Sequence, residues 1–364
     1  MVFSITVAIA QEVIPSPTPP EQTVKIDTEE VQVNVMAQNR FGRFESNLTK
    51  EDLLVVEDGV PQEITSLRRI PANVLLLLDT GGELNFVKTS KLTGFAAKIV
   101  LNNLKAEDYF AVMQYNNKIE SVSDWSNNKD EAFAAIDKKL FSGKRSRFAE
   151  ALNEAAKNFQ NRPLGNRHLV LISDGMESVA TAIEREKAFQ NLLAHNITVH
   201  IISYTQLEAE IAKTAGKRLK LGDGTKKQAI PPEVQEQILQ SIPYPQRQTF
   251  KIMMEAPPIV IFDLDTERLK FIRRRREVWL ESEIKLKDIS EKSGGIFYAP
   301  ETLETLLTFG SKIAETIDSQ YVLTYLPKRQ FADSPSGEIR KIRVSTSCVG
   351  VEIKARSLIV KEFK

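Results

Sequence analysis

Asp79 and Asp174 each close a mostly apolar run. Val74-Leu75-Leu76-Leu77-Leu78 precedes the first, and Leu169-Val170-Leu171-Ile172-Ser173 precedes the second. Runs of this kind read as strands buried on both faces, as in parallel sheets. Parallel strands end at a common edge, and ligands of open α/β sheets sit beyond that carboxyl edge. Two carboxylates brought there make either a cation site or the hub of a salt-bridge cluster.

The elements that must position them alternate along the chain. After the strand 74–79 comes a helical stretch, 86–104, with apolar Leu92, Phe95, Ala96, Ile99 and Val100. Strands are predicted over 109–115 and 118–123, and helices over 129–140 and 147–159. The strand ending at Asp174 follows, then a helix over 180–194 and a strand over 197–203. A helix over 281–292 stops at Gly294-Gly295, a C-cap signal. A short strand (296–298) and a last helix (301–317) complete the series. The alternation predicts a doubly wound, mostly parallel α/β sheet.

The flanks are β-rich. Val31-Gln32-Val33-Asn34-Val35 alternates with period two, the mark of a half-buried strand. Asp58-Gly59 inside an apolar run signals a hairpin. Alternating segments return at 321–326, 338–345 and 351–355, with turns at Pro335-Ser336-Gly337 and Val349-Gly350. Neither flank alone can bury a face, so both are expected to pack together as one small β-sandwich. The expected organisation is a truncated export signal and Pro-rich linker (1–23), the first sandwich part (24–70), the α/β domain (71–319) and the second sandwich part (320–364). Residues 205–276 form an insertion in the α/β domain, too long and too rich in Pro and Gly for an ordinary loop.

Bulk properties narrow the function. The 364 residues are 42% hydrophobic, enough for a packed core. Basic and acidic residues number 49 and 48, net +1, which gives no global reason to expect nucleic acid. The single Cys348 excludes an intramolecular disulfide and a cysteine-based zinc knuckle. His168, His195 and His200 form no ligand pattern and are read as packing residues. No segment is long enough to span a membrane as a helix. The apolar run 2–10, ending Ala8-Ile9-Ala10, matches the core and cleavage site of a secretory signal, although no basic residues precede it. An exported protein is therefore expected: periplasmic, cell-surface or secreted.

Three pieces carry a family resemblance: Leu75-Leu76-Leu77-Leu78-Asp79, Ser146-Arg147-Phe148-Ala149-Glu150-Ala151-Leu152, and Leu171-Ile172-Ser173-Asp174-Gly175. With the element order from 73 to 319, they resemble the von Willebrand factor A-type (VWA) domain. The flanks, with Leu48-Thr49-Lys50-Glu51-Asp52-Leu53 and Val56-Glu57-Asp58-Gly59-Val60-Pro61-Gln62, are similar to the acidobacterial-type VWA-related proteins. The resemblance implies a protein-binding module. It also implies a metal-ion-dependent adhesion site, built from Asp-x-Ser-x-Ser, a Thr and an Asp around Mg²⁺, or Ca²⁺ or Mn²⁺ in its place. An open coordination position there accepts a partner's acidic side chain. Asp79 and Asp174 match the aspartates and Ser146 stands at the threonine, but Gly81 and Glu83 stand at the two serines.

Three readings stay open. Glu83 could join Asp79, Ser146 and Asp174 around an ion. The site could be dead, with Lys144, Arg145 or Arg147 neutralising the carboxylates, because clustered carboxylates need counter-charge. Or a standard adhesion site could work despite the losses. The favoured reading is a non-enzymatic VWA-type protein-interaction or adhesion module with a degenerate metal site. Rivals are a hydrolase using the Asp79 and Asp174 carboxylates, and a scaffold recognising partners through 205–276. Asp79-Thr80-Gly81 resembles the aspartic-protease triplet, whose chemistry needs two facing carboxylates sharing a proton. Residues 259–266 weakly resemble a haloacid dehalogenase opening. Neither likeness extends further along the chain. Arg273-Arg274-Arg275-Arg276 reads as a solvated helix face with Glu277, Glu281 and Glu283 nearby, or as a partner-binding patch for an anionic surface, either lipid head groups or an acidic protein.

Overall fold

The structure, a computed structural model, describes residues 30–82, 88–210, 266–331 and 334–361, and of 266–276, 303 and 307 only the backbone. The expected signal and linker (1–23), Glu83, and residues 211–265 of the expected insertion lie outside the described residues.

Three strands come first: β1 (Val31–Asn39), β2 (Leu53–Glu57) and β3 (Val60–Arg68). Asp58 and Gly59 join β2 to β3 with φ of 46° and 83°. Two successive positive φ values are what a tight two-residue hairpin requires, and Asp-Gly supplies them cheaply. The α/β elements follow in order: β4 (Asn73–Asp79), α1 (Ser90–Asn103), β5 (Tyr109–Tyr115), β6 (Ile119–Ser126), α2 (Lys129–Lys139), α3 (Phe148–Asn158), β7 (Arg167–Ser173), α4 (Ala182–Ala194), β8 (Ile197–Ser203), α5 (Thr266–Ser293), β9 (Phe297–Tyr298) and α6 (Leu303–Ser319). β10 (Tyr321–Leu326), β11 (Ile339–Thr346), β12 (Val351–Ala355) and β13 (Leu358–Val360) close the series.

The α/β sheet has the order β6-β5-β4-β7-β8-β9. All its pairs are parallel except β5 with β6. From β4 the chain moves to β5 and β6 on one side; from β7 it moves to β8 and β9 on the other. The order therefore reverses between β4 and β7, the switch point where an open sheet offers a crevice. Val74 to Leu78 are all 0% exposed. Val74, Leu76 and Leu78 pack with Ala97, Val100 and Ile313, whereas Leu75 and Leu77 pack with Leu152, Ala155 and Leu192. Helices thus cover both faces, which is why the run shows no alternation. Burial of one such leucine stabilises by about 1.5–3 kcal/mol.

Strands from both flanks build one β unit. Its strands pair as a single seven-stranded antiparallel sheet, β12-β1-β10-β3-β2-β11-β13, and not as the expected two facing sheets. The β10–β3 and β11–β2 pairings weave the two flanks together within one hydrogen-bonded layer. Its core gathers Val33, Val35, Val55, Leu323, Tyr325 and Ile342.

β1 is not half-buried either. Asn34 and Met36, on its expected solvent face, are buried too, because that face meets the α/β unit: Asn34 Nδ2 donates to Thr198 Oγ1 at 3.1 Å. The helix expected over 281–292 is longer and runs Thr266–Ser293, so Arg273 to Arg276 lie within its backbone. Lys, Arg and Glu are good helix formers, and they extend α5 without an apolar stripe to announce it. Residues 205–210 are helical as well, so both described ends of the expected insertion are helical. Among the described residues no helix is long and apolar enough to cross a membrane.

Candidate functional site

β4 and β7 deliver Asp79 and Asp174 to the same edge, at the switch point. The third member, Ser146, arrives on the loop before α3. Residues 142–147 are fastened over the edge by backbone: Gly143 N–H donates to Thr80 O at 2.9 Å. Asn117 Oδ1 accepts the Lys144 and Arg145 N–H groups at 2.8 and 3.0 Å. Ser146 and Ser178 then hold each other, N–H to Oγ at 3.0 Å and O to N–H at 2.9 Å. Glu177 Oε2 accepts the Ala149 N–H in the first turn of α3 at 2.8 Å, satisfying a donor that Arg147 at the N-cap leaves open.

The three predicted residues meet around Lys88. Its Nζ donates to Asp79 Oδ2 at 3.0 Å, Asp174 Oδ1 at 2.9 Å and Ser146 Oγ at 3.4 Å. Lys88 is 2% exposed, Asp79 0% and Asp174 4%. Thr89 caps α1 by accepting from Leu92 N at 3.2 Å, and this fixes where the helix begins and hence where the Lys88 stem enters.

Asp79 is satisfied on both oxygens. Oδ1 accepts from Gly81 N–H and Ser146 Oγ–H, each at 3.1 Å; Oδ2 accepts from Ser173 Oγ–H at 2.8 Å as well as from Lys88. Tyr115 Oη lies 2.7 Å from Ser173 Oγ. Met176 N–H donates to Asp174 Oδ1 at 3.0 Å, and Ser282 Oγ–H donates to the Asp174 carbonyl at 2.6 Å, tying α5 to the edge.

The electrostatics follow from burial. Burial alone would lower the Lys88 ammonium, but Asp174 and Asp79 beside it hold it well above the ordinary amine range. Burial pushes the Asp79 carboxyl up, against the pull of Lys88. Burial first, and then the Asp79 charge, push the Tyr115 hydroxyl up as well. Lys88 stays charged, so the edge holds an ammonium between two carboxyl groups.

The basic loop does not neutralise the carboxylates. Lys144 and Arg145 are exposed, and Arg147 pairs with Glu150 at 2.7 Å. A loop fastened through its backbone turns those side chains outward, while Lys88 reaches in from beneath α1. Glu83 lies outside the described residues. Arg273 to Arg276 are placed by backbone alone, about the α5 axis. His168 and His200 are buried partners, Nδ1 to Nε2 at 3.0 Å, far down the strands, and burial keeps both neutral. Lys88 carries no local signal beyond its position nine residues after Asp79.

Residues 73–220 match the von Willebrand factor type A domain family. Among solved structures, a von Willebrand factor type A protein from Catenulispora acidiphila is similar at 10% identity and a TM-score of 0.45, over 88% of this chain and 76% of that one. An aerotolerance-related membrane protein from Bacteroides fragilis is similar at 14% identity and a TM-score of 0.40, over 68% and 98%. The manganese-loaded TRAP protein of Plasmodium vivax is similar at 9% identity and a TM-score of 0.39, over 84% and 98%. A search of curated proteins returns no match. Domains of the matched family are adhesion and protein-interaction modules, generally without enzymatic activity, and often bind a metal ion such as Mg²⁺ or Mn²⁺.

Proposed function

Residues 73–220 being a von Willebrand factor type A domain, we propose that the chain is a non-enzymatic protein-interaction module with a degenerate adhesion site. One observation carries this reading. Asp79 and Asp174, the carboxylates a hydrolase would need, are 0% and 4% exposed and both are bound to Lys88. A general acid or base must reach the proton it moves, within hydrogen-bond distance of a substrate. Carboxylates sealed beneath the edge and held by an internal ammonium cannot do so without dismantling the cluster.

Recognition then falls to the rim above the cluster. Lys144, Arg145, Ser178 and Val179 are exposed there, on loops whose backbones are fixed. Loops with a fixed backbone suit a partner surface, since little backbone entropy is lost on docking. The net charge of +1 favours a protein partner over nucleic acid.

A photo-crosslinking residue placed at 145 or 179, in cells of the source organism, tests this, with one at 107 as the remote control. A defined adduct from the rim positions and not from 107 supports the rim. Equal adducts, or none, move recognition elsewhere. Turnover of an ester, phosphoester or peptide substrate that disappears in folded Asp79→Asn protein would overturn the non-enzymatic reading.

A further inference from the structure

The matched family implies a divalent ion at this edge, and the residues present do not fit one. We propose that Lys88 stands in for the ion, so that this domain keeps its carboxyl edge assembled without metal. The inference rests on the assignment of residues 73–220 to the family, and not on any partner.

Valence is the first reason. A carboxylate offers about four lone-pair sites. Those of Asp79 go to the Gly81 N–H, the Ser146 and Ser173 hydroxyls and the Lys88 ammonium. No lone pair is left for a metal. The ammonium is equally matched: it has three protons, and the acceptors within reach are Asp79, Asp174 and Ser146. Those are the three described residues that the family resemblance assigns to the ion.

Space is the second. A serine of the family pattern cannot stand at Gly81. A Cβ there would lie 2.0 Å from the Arg145 carbonyl oxygen and 2.8 Å from Ser146 Oγ. The loop carrying Arg145 is fastened by backbone bonds, so its carbonyl cannot drift aside as a flexible side chain would. The volume of the missing hydroxyl has been taken up by main chain.

Charge and distance are the third. Mg²⁺ holds oxygens at about 2.0–2.1 Å. Here the carboxylate oxygens stand 2.9 and 3.0 Å from the ammonium centre, a spacing suited to N–H···O bonds. An ion entering beside Lys88 would place like charges in contact in a dry site, and one would have to leave. Lys88 is 2% exposed, so its departure means opening the edge. With Lys88 in the ion's place among the described residues, a partner's carboxylate meets no metal here, and capture of any partner is expected to be indifferent to chelators.

The test is a titration of the chelator-treated full chain with Mn²⁺, followed by the loss of the free-ion electron paramagnetic resonance signal. The wild type is expected to leave that signal intact at millimolar Mn²⁺. Lys88→Ser vacates the centre of three oxygens and is expected to take up one equivalent, about tenfold or more tighter than wild type, with a rise in Tm on adding the ion. Uptake of one equivalent by the wild type, abolished in Asp79→Asn, would show that Lys88 is only a placeholder and would overturn the proposal. If Lys88→Ser does not fold, the wild-type titration decides alone. No partner enters this experiment, so its result is separate from that of the crosslinking.

Discussion

Lys88 in the α/β unit and Arg340 in the β unit are both almost wholly buried, and they are buried in different ways. Lys88 converges on three oxygens, two of them from carboxylates. Arg340, 0% exposed, meets Glu57 Oε1 at 2.8 Å, with Glu338 Oε2 farther off at 3.6 Å. Its other bonds go to the Arg329 and Gln330 carbonyls and Ser334 Oγ at 2.5, 3.1 and 2.7 Å, and its guanidinium lies 3.6 Å from the Phe331 ring centre. Tyr325 Oη–H completes Glu57 at 2.5 Å. A guanidinium is a plane that spreads its donors over neutral neighbours, whereas an ammonium is a compact point charge. Only the second can be mistaken, by the oxygens around it, for a small ion.

The sharpest way to break the comparison is Lys88→Met. It leaves two buried carboxyl groups facing each other without a cation, and is expected to destabilise by about 5 kcal/mol in urea unfolding at neutral pH. Arg340→Met strands one carboxylate, which keeps the Tyr325 hydroxyl; about 3 kcal/mol is expected from the same measurement. Equal losses would mean that charge count does not govern the difference.

Asp318 sharpens the contrast from the other side, being a half-buried carboxyl close to Asp108. Burial pushes it up to about 7, and Lys105 only partly offsets this. Its folded value lies above the unfolded 3.8, so the unfolded chain ionises first as pH rises. Stability is therefore lost between about pH 4 and about pH 7, and is missing above. Asp318→Asn is expected to raise Tm at about pH 8 and leave it unchanged below about pH 4; a gain that is the same at both would refute this account. The smallest effect belongs to the exposed loop: Lys144→Ala with Arg145→Ala should shift stability by no more than about 0.5 kcal/mol. A loss of several kcal/mol would mean that these side chains do support the carboxylates.

Much of the α/β unit was legible because its signals are local. β4, β7 and β8 are apolar runs bounded by polar residues, and Asp58-Gly59 names its own turn. The meeting of Asp79 and Asp174 was legible through strand order, and Ser146 joined them only through the family resemblance. Lys88 was not, because a lone lysine before a helix looks like any solvated lysine, while the crowded Gly143 to Arg147 loop drew the counter-charge to itself. What decides between them is whether backbone or side chain fastens the loop, and composition does not record that. The second buried face of β1 was hidden for a similar reason, since Asn34 and Met36 are buried by a unit encoded elsewhere in the chain. β13, at three residues, is too short for periodicity to show.

β3 and β10 are hydrogen-bonded neighbours, with Arg68 opposite Val322, yet the whole α/β unit is encoded between them. Closing so long a loop from the unfolded chain is slow, because its entropy is lost before any strand contact repays it. A folded α/β unit removes that delay by presenting both of its ends side by side. The expected order of folding is the parallel sheet first and the flanks afterwards, so a defect at the Lys88 cluster is expected to surface as late, stalled pairing of β3 with β10 in a refolding time course.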